Sequence, residues 1–387
     1  MKQGWEYKKL GEVCEVVSGS TPKTNVPEYW GEGHYWVTPA ELNDTIVYID
    51  KTERQITDEA LTKTKLRLLP VGTVLLSSRA PIGKVAITKT EMYCNQGFKN
   101  CICSDSIYNK YLFYFLRLKK EYLNSLGRGA TFKEISKSIV ESISIPLPPK
   151  STQLSIVSEL DKINELIRLK KEQLKDYDNL AQSIFYEMFG DPVENEKGWE
   201  VKKLGEVCTI ERGSSPRPIT AYITDSKDGI NWIKIGDAQE GSKYITSTKE
   251  KIKPEGLKKS RFVHKGDFIL SNSMSFGKPY ILKIDGCIHD GWLVIHDNNN
   301  VFIKIYLYYL LASSIMYAKF SKLAVGGVVN NLNSSLVRKV DVSIPPLPLQ
   351  HLFAQRIEQI EHQKSEVTKA ITDLETLLAS RMQHWFE

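Results

Sequence analysis

The stretch "GWEYKKLGEVC" occupies residues 4–14, and "GWEVKKLGEVC" occupies residues 198–208, 194 positions later with one residue changed. Self-similarity at a fixed offset marks a repeated unit, not a local motif, and the register holds as the reading moves outward. "VGTVLLSSRAPIGKVAI" (71–87) aligns with "KGDFILSNSMSFGKPYI" (265–281), setting Gly72 against Gly266, Gly83 against Gly277 and Lys84 against Lys278. "CNQGF" (94–98) meets "IHDGW" (288–292), and "YWVTPAE" (35–41) meets "NWIKIGD" (231–237) after a slip of two. Each half then carries an apolar, Tyr-rich helical stretch, 111–123 or 306–318. Each closes on prolines, "ISIPLPP" (143–149) or "VSIPPLPL" (342–349).

A heptad pattern follows each proline exit. Ile156, Leu160, Ile163, Ile167, Lys170, Leu174, Tyr177, Ala181, Ile184 and Met188 alternate steps of four and three. So do Phe353, Ile357, Ile360, Lys364, Val367, Ile371, Leu374, Leu378, Arg381 and Trp385. This spacing predicts two long helices, each with one apolar seam. The prolines, barred from a helix interior, set each start; Gly190 and Pro192 stop the first helix. Roughly 37 residues at 1.5 Å each give about 55 Å. Two seams of equal length should bury one another, and if the second helix returns along the first the pair is antiparallel. The expected fold is therefore α+β: two globular mixed α/β domains in tandem repeat, separated by two long antiparallel coiled-coil helices. The boundaries read as domain 1–150, helix 151–189, domain 190–349 and helix 350–387. Lys170 and Lys364 should lay their stems along the seam and lift their charges into solvent; specification of register is the alternative.

A composition of 41% hydrophobic and 25% charged residues is that of a folded globular chain. The most apolar run, 305–320, leaves only 14 residues between Lys304 and Lys319, too few to cross a bilayer, and reads as a buried helix. No signal-peptide core is evident at the start. The cysteines at 14, 94, 101, 103, 208 and 287 include no CxxC pair. No metal site is expected, Cys14 and Cys208 read as small core residues, and a reducing cytoplasm is the expected setting. Net charge is +6, unevenly spread. Residues 1–150 carry +5 and 190–349 carry +5, whereas each long helix carries −2. Two basic heads on acidic rods are the electrostatic footprint of nucleic-acid binding.

Catalytic signatures are missing: no phosphate loop, no dinucleotide fingerprint, no H-E-x-x-H and no G-x-S-x-G occurs. The Glu-x-Lys triplets at 6–8 and 200–202 read as solvated turns. His289-Asp290 is the one suggestive pair, but its twin is Asn95-Gln96, an exchange that a catalytic site would not survive and a base-reading site would. The repeats agree in their frame and differ in their polar loops. "SGSTPKT" (18–24) faces "RGSSPRP" (212–218), "SSRAPIGK" (77–84) faces "SNSMSFGK" (271–278), and "GRGATFKE" (127–134) faces "GGVVNNLN" (326–333). Arg, Lys, Asn, Gln, Ser and Thr make base-edge and phosphate contacts. Candidate DNA contacts in the first head are Ser20, Thr21, Lys23, Arg79, Lys84, Asn95, Gln96, Arg128, Thr131 and Lys133. In the second they are Arg212, Ser214, Ser215, Arg217, Lys234, Asn272, Ser273, Lys278, His289, Asp290, Asn330 and Asn331. Lys84 and Lys278, common to both repeats, are expected to serve the phosphates or the frame.

The opening phrase with its Ser-Gly-Ser-Thr-Pro, "GTVLLSSRAPIGK", the exit "ISIPLPP" before a long helix, and a second copy of each together resemble the specificity (S) subunit of type I restriction-modification systems. The resemblance covers essentially the whole chain, and "RGSSPRP" and "VGGVVNNLN" are its looser parts. It implies two target-recognition domains, each reading half of a bipartite double-stranded DNA sequence, and no catalytic site. It also implies two modification subunits as partners, adenine-N6 methyltransferases that use S-adenosylmethionine, with restriction subunits able to join. No cofactor is then expected in this chain; S-adenosylmethionine, ATP and Mg would belong to the partners. Two other readings share the architecture: a scaffold with two protein- or sugar-binding heads, and an enzyme centred on His289-Asp290 or the Glu-x-Lys triplets.

Overall fold

In the computed structural model the repeated opening phrase forms the edge of a frame. The structure describes residues 4–79, 81–129, 133–239, 241–272, 276–324 and 332–387. The chain divides into two units, residues 1–171 with 369–387, and residues 172–368.

Unit 1 runs β1 (Glu6–Lys9), α1 (Leu10–Val13), β2 (Cys14–Ser18), β3 (Trp30–Val37), β4 (Tyr48–Ile49), β5 (Gln55–Ile56), α2 (Asp58–Lys63), β6 (Val74–Leu76), β7 (Val85–Thr88), β8 (Tyr93–Cys94) and β9 (Lys99–Cys103). Then come α3 (Asn109–Leu118), α4 (Lys120–Leu126), α5 (Lys137–Ser142), β10 (Ser144–Leu147) and the long helix α6 (Lys150–Phe189), whose residues from 172 on belong to unit 2. β1 pairs antiparallel with β10, so entry and exit of the head lie side by side. A five-stranded sheet has the order β2-β9-β6-β7-β4, and a three-stranded one β5-β3-β8. Strand alternation sorts the core: Val74, Leu76, Val85 and Ile87 pack with α3, while Leu75 and Ala86 turn to Val37, Leu42 and Phe98.

Unit 2 repeats the plan: β11 (Glu200–Lys203), α7 (Leu204–Val207), β12 (Cys208–Arg212), β13 (Ile223–Thr224), β14 (Ile230–Ile233), β15 (Tyr244–Ile245), β16 (Glu250–Ile252), β17 (Arg261–Val263), β18 (Phe268–Ser271), β19 (Pro279–Leu282), β20 (Gly286–Ile288) and β21 (Trp292–Asp297). α8 (Lys304–Ala312), α9 (Ser314–Ala324), α10 (Ser334–Arg338), β22 (Asp341–Ile344) and α11 (Leu347–Phe386), whose residues from 369 on belong to unit 1, complete it. β11 pairs with β22, and the sheets run β12-β21-β18-β19-β15 and β13-β16-β14-β20-β17.

Three expectations are corrected. The Glu-x-Lys triplets are strand, not turn: β1 and β11 place Glu6 by Lys8 (3.2 Å) and Glu200 by Lys202 (2.9 Å) on the exposed face. Each apolar helix is two helices. α3 gives way to α4 at Lys119, and α8 to α9 at Ser313, whose hydroxyl donates to Leu310 O and accepts from Met316 N–H. α11 starts at Leu347, three residues before the expected boundary, because Pro348 sits in the first turn, where no N–H is required. The long helices also contribute to the cores of the heads. Ile156, Val157 and Leu160 join the core of unit 1 together with Phe386, and Ala181, Phe185 and Phe189 join that of unit 2 together with Phe353 and Ile357.

Within unit 1 the helix segments run antiparallel. Arg381 forks onto Glu159, Trp385 Nε1–H donates to Glu159 (3.0 Å), and Lys171 meets Glu375 (2.7 Å). Within unit 2, Phe353 packs on Phe185 and Phe189 while Lys364 pairs with Asp178, again antiparallel. Ile156, Leu160, Ile163, Ile167, Ile357, Ile360, Val367 and Ile371 are buried; Leu174, Ile184, Leu374 and Leu378 are half-buried. Lys364 does not simply reach solvent: besides Asp178 it lies 3.8 Å from Glu361, which also holds the buried Lys243 (2.9 Å). A buried glutamine secures each helix start. Gln153 accepts from Tyr108 N–H and donates to Ser106 O and Pro148 O, and Gln350 does the same with Ile303, Val301 and Pro345.

The Arg381 guanidinium, helped by the Trp385 N–H, holds the Glu159 carboxyl below its ordinary range. A carboxylate depressed by folding adds stability above its unfolded pKa, and that share is lost as pH falls through the folded value. Glu159→Gln should therefore flatten the acid side of the stability curve of unit 1, with little change near neutrality beyond the lost pair. Urea midpoints from pH 7 down to pH 3 measure it; an unaltered acid slope would count against the pairing.

The six cysteines are free, and Cys14 and Cys208 are buried as read from the sequence. Burial pushes the Cys208 thiol up to about 12. Among the described residues no group of three His, Cys, Asp or Glu could hold a metal ion, and no helix is long and apolar enough to cross a membrane.

Candidate nucleic-acid interface

In unit 1 the fold gathers the polar loops chosen from the sequence. Gly19 N–H bonds Phe98 O (3.2 Å) and Ser20 N–H bonds Cys94 O (3.0 Å), which ties loop 18–24 to turn 94–98. Ser78 N–H bonds Gly97 O (2.7 Å), and Ile135 N–H bonds Ser78 O (3.0 Å), which adds loops 77–84 and 127–134. Side chains reinforce the backbone: Thr21 bonds Gln96, and Glu134 receives Lys99 (3.1 Å) and Arg79 (3.8 Å).

Unit 2 repeats the same frame bond for bond. Gly213 N–H meets Trp292 O, Ser214 N–H meets Ile288 O, Asn272 N–H meets Gly291 O and Leu332 N–H meets Asn272 O. Both glycines are forced. A Cβ on Gly19 would lie 1.9 Å from Asn95 O, and one on Gly213 2.2 Å from His289 O, so no larger residue lets the loops touch. Here Asp290 is the hub. It accepts from Ser215 Oγ (2.8 Å), lies 2.9 Å from His289 Nε2 and stands within 4.0 Å of Arg212 and Arg217. Burial lifts the Asp290 carboxyl, but the Ser215 hydroxyl, His289 and Arg212 outweigh it and leave it below the ordinary range. Burial pushes His289 down, against the pull of Asp290. With Nδ1 accepting from Gly291 N–H (2.8 Å), the imidazole is neutral and carries its proton on Nε2, facing Asp290.

The structure sorts the candidates. Lys23, Gln96, Arg128 and Lys133 in unit 1, and Arg212, Ser214 and Arg217 in unit 2, are exposed on these loops. Ser20, Thr21, Arg79, Ser215, Lys234, His289 and Asp290 are half-buried, with Lys234 paired to Glu250. Asn95 and His289 hold the turn in the same way, each accepting from the glycine N–H two residues on (2.8 Å each). Their exchange therefore preserves a hydrogen bond of the frame, and neither side chain is free at that atom. Asn272 is corrected. It is 1% exposed, with its amide nitrogen on Asp290 O (3.0 Å), so it braces the loop and reaches no base. Lys84 donates to Pro39 O (2.9 Å), a frame contact, whereas Lys278 is exposed. Thr131, Ser273, Asn330 and Asn331 lie outside the described residues.

Several residues of the interface were not read from the sequence. Glu134 and Lys99 organise unit 1; Arg261 bonds Arg212 O (2.8 Å) and Glu211 (2.8 Å) in unit 2. Loop 215–220, Ile223, Trp232, Lys234, Glu250, His289 and Asp290 enclose a cleft of about 1090 Å³. The two-residue slip of "NWI" against "YWV" was the available signal, since an insertion at a loop face changes the space beneath it.

Comparison with known proteins follows this division. The family model described as type I restriction modification DNA specificity domain matches residues 2–176 and again residues 196–376. The type I restriction enzyme MjaIX specificity subunit of Methanocaldococcus jannaschii is 37% identical over 255 residues, 61% of this chain and 59% of that protein. The MjaVIII specificity subunit of the same organism is 25% identical over 412 residues, covering 97% of this chain and 92% of that one. The first match thus spans under two thirds of the relative's length and the second nearly all of it. A solved chain, from work on complex assembly and conformational transition of the type I R-M system, superposes with a TM-score of 0.70 at 21% identity over 99% of this chain and 97% of that one, which shows the shared fold.

Proposed function

This chain belongs to the type I restriction-modification DNA specificity family, and from that premise we propose that its two heads read the two halves of one bipartite double-stranded DNA sequence. Specificity subunits are DNA-recognition subunits that catalyse no reaction themselves. The supporting observation is the pair of loop clusters. One hydrogen-bond frame occurs twice, and it presents Lys23, Gln96, Arg128 and Lys133 in one unit but Arg212, Ser214 and Arg217 in the other. The same scaffold with different exposed donors is what recognition of two different short sequences requires. Two modification subunits carrying adenine-N6 methyltransferase activity would dock on the chain, and restriction subunits could join. S-adenosylmethionine, ATP and Mg belong to those partners, and the cytoplasm is where the complex works.

Mapping methylated adenines in the host genome, then footprinting the chain with its modification partner on that sequence, tests the reading. A split footprint is the expected result; protection of no defined sequence would overturn it. Arg217, 82% exposed at the loop tip, is expected to face phosphate. Arg217→Ala should weaken target and non-target duplexes alike and lower the slope of log K against log salt by about 0.9. A loss confined to the target would instead make Arg217 a base reader.

A further inference from the structure

Trp36 and Trp232 are equivalent residues, each buried on the strand that leads into the loop face. Trp36 lies opposite Tyr93 and Trp232 opposite Cys287. In unit 1 the indole N–H is used: Trp36 Nε1 donates to Ser20 O (3.2 Å). In unit 2 the corresponding carbonyl, Ser214 O, accepts from the Ser260 hydroxyl instead (2.7 Å). Trp232 is 1% exposed and lines the cleft, and its indole N–H makes no hydrogen bond to any described residue. A buried indole N–H normally finds a partner. This donor is left over on the lining of a cleft that also presents the apolar Ile219 and Ile223 and the acidic Glu250 and Asp290. The strand register puts Glu250 directly beside Trp232, where unit 1 has Arg54, whose carbonyl accepts from the Trp36 backbone amide.

We propose that this cleft receives a single nucleobase turned out of the DNA stack. A ring or carbonyl acceptor of the base takes the Trp232 N–H, and its exocyclic amino group meets the Glu250 carboxylate oxygen that Lys234 leaves open. The inference rests on the DNA-recognition reading above. A flat heterocycle that carries both an acceptor and an amino group on one edge matches the donor and carboxylate that the strand register sets side by side. The burial of Trp232 decides for an unstacked base. A base still paired in a duplex presents its edge at the groove, and a side chain only 1% exposed inside a cleft lined by loop 215–220 is beyond its reach. The exposed Arg217 stands at the cleft to meet the backbone of the extruded nucleotide, while Lys234 holds Glu250 in place. In unit 1 the same donor is already bonded, so the device belongs to the second head alone.

The test uses the full chain assembled with its modification subunits, on the genomic target and on duplexes in which each base of the half-site read by the second head is placed opposite an abasic site. Removing the opposite base lowers the cost of extrusion. One position, other than the methylated adenine, should then bind about tenfold tighter. Trp232→Phe, which keeps the core and removes the N–H, should weaken target binding about tenfold and leave non-target binding unchanged. If Trp232→Phe lowers the unfolding temperature, Glu250→Gln on the cleft wall gives the same readout. No tightening at any position, or target affinity unchanged in the variants, overturns the inference. A wild-type complex that does not distinguish target from non-target duplex would instead sink the DNA-recognition reading, and this inference with it.

Discussion

Replacing residues 4–147 with the head of another specificity subunit is expected to change one half of the methylated sequence and leave the other untouched. Affinity for the original target should fall toward the non-specific level, a loss of about a thousandfold or more. The frame makes the exchange feasible. β1 and β10 lie side by side, so a head enters and leaves the chain at one place. The constraint is its floor. Ile156, Val157, Leu160 and Phe386 complete the core of unit 1, and the incoming head must fit them as the original does. Sequencing of methylated adenines reads the outcome directly. A change in both halves would contradict independent reading by the two heads.

Phe185→Ala is expected to destabilise unit 2 by about 3–5 kcal/mol, the usual cost of emptying a buried phenylalanine site. Phe185 touches Phe189, Tyr306, Tyr309 and Phe353, so collapse around the void would need four other aromatic rings to move. Ile184→Ala, one residue earlier but half-buried, should cost well under half as much. Denaturant unfolding followed by far-UV circular dichroism should show a first transition shifted by the former and little moved by the latter, because a chain of two units need not unfold in one step. Equal losses would place the seam where the heptads put it and not where the aromatic core lies.

That contrast shows how far the sequence could be read. The heptads located both long helices and most of their buried side chains, since a seam between two helices repeats with a fixed period. They missed Phe185, Phe189 and Phe386, which serve the heads. A helix that packs on a globular core buries a wider stripe than one that packs on another helix, and the width of that stripe depends on what faces it. The loops were legible as a set because they vary where the frame does not. Their individual roles were not. Asn95 and His289 differ in type but accept the same glycine N–H, and Asn272 has the composition of a reader but the burial of a brace. Whether a polar side chain is spent on the fold or left for a ligand is decided by the carbonyl or amide beside it, and that neighbour comes from a distant part of the chain.

Phe386 and Trp385, packed against Tyr111, Phe115 and Trp5, bear on the order of events during synthesis. A ribosome makes the first head, then every residue of the second, before it makes the aromatic pair that closes the core of the first. Unit 2 draws on residues 172–368 and has all its parts at hand earlier. The head begun first is thus the one finished last. While it waits, Ile156, Leu160 and Ile163 lack the partner helix that will cover them, and it is in this interval that a nascent chain is most exposed to aggregation and most in need of a chaperone.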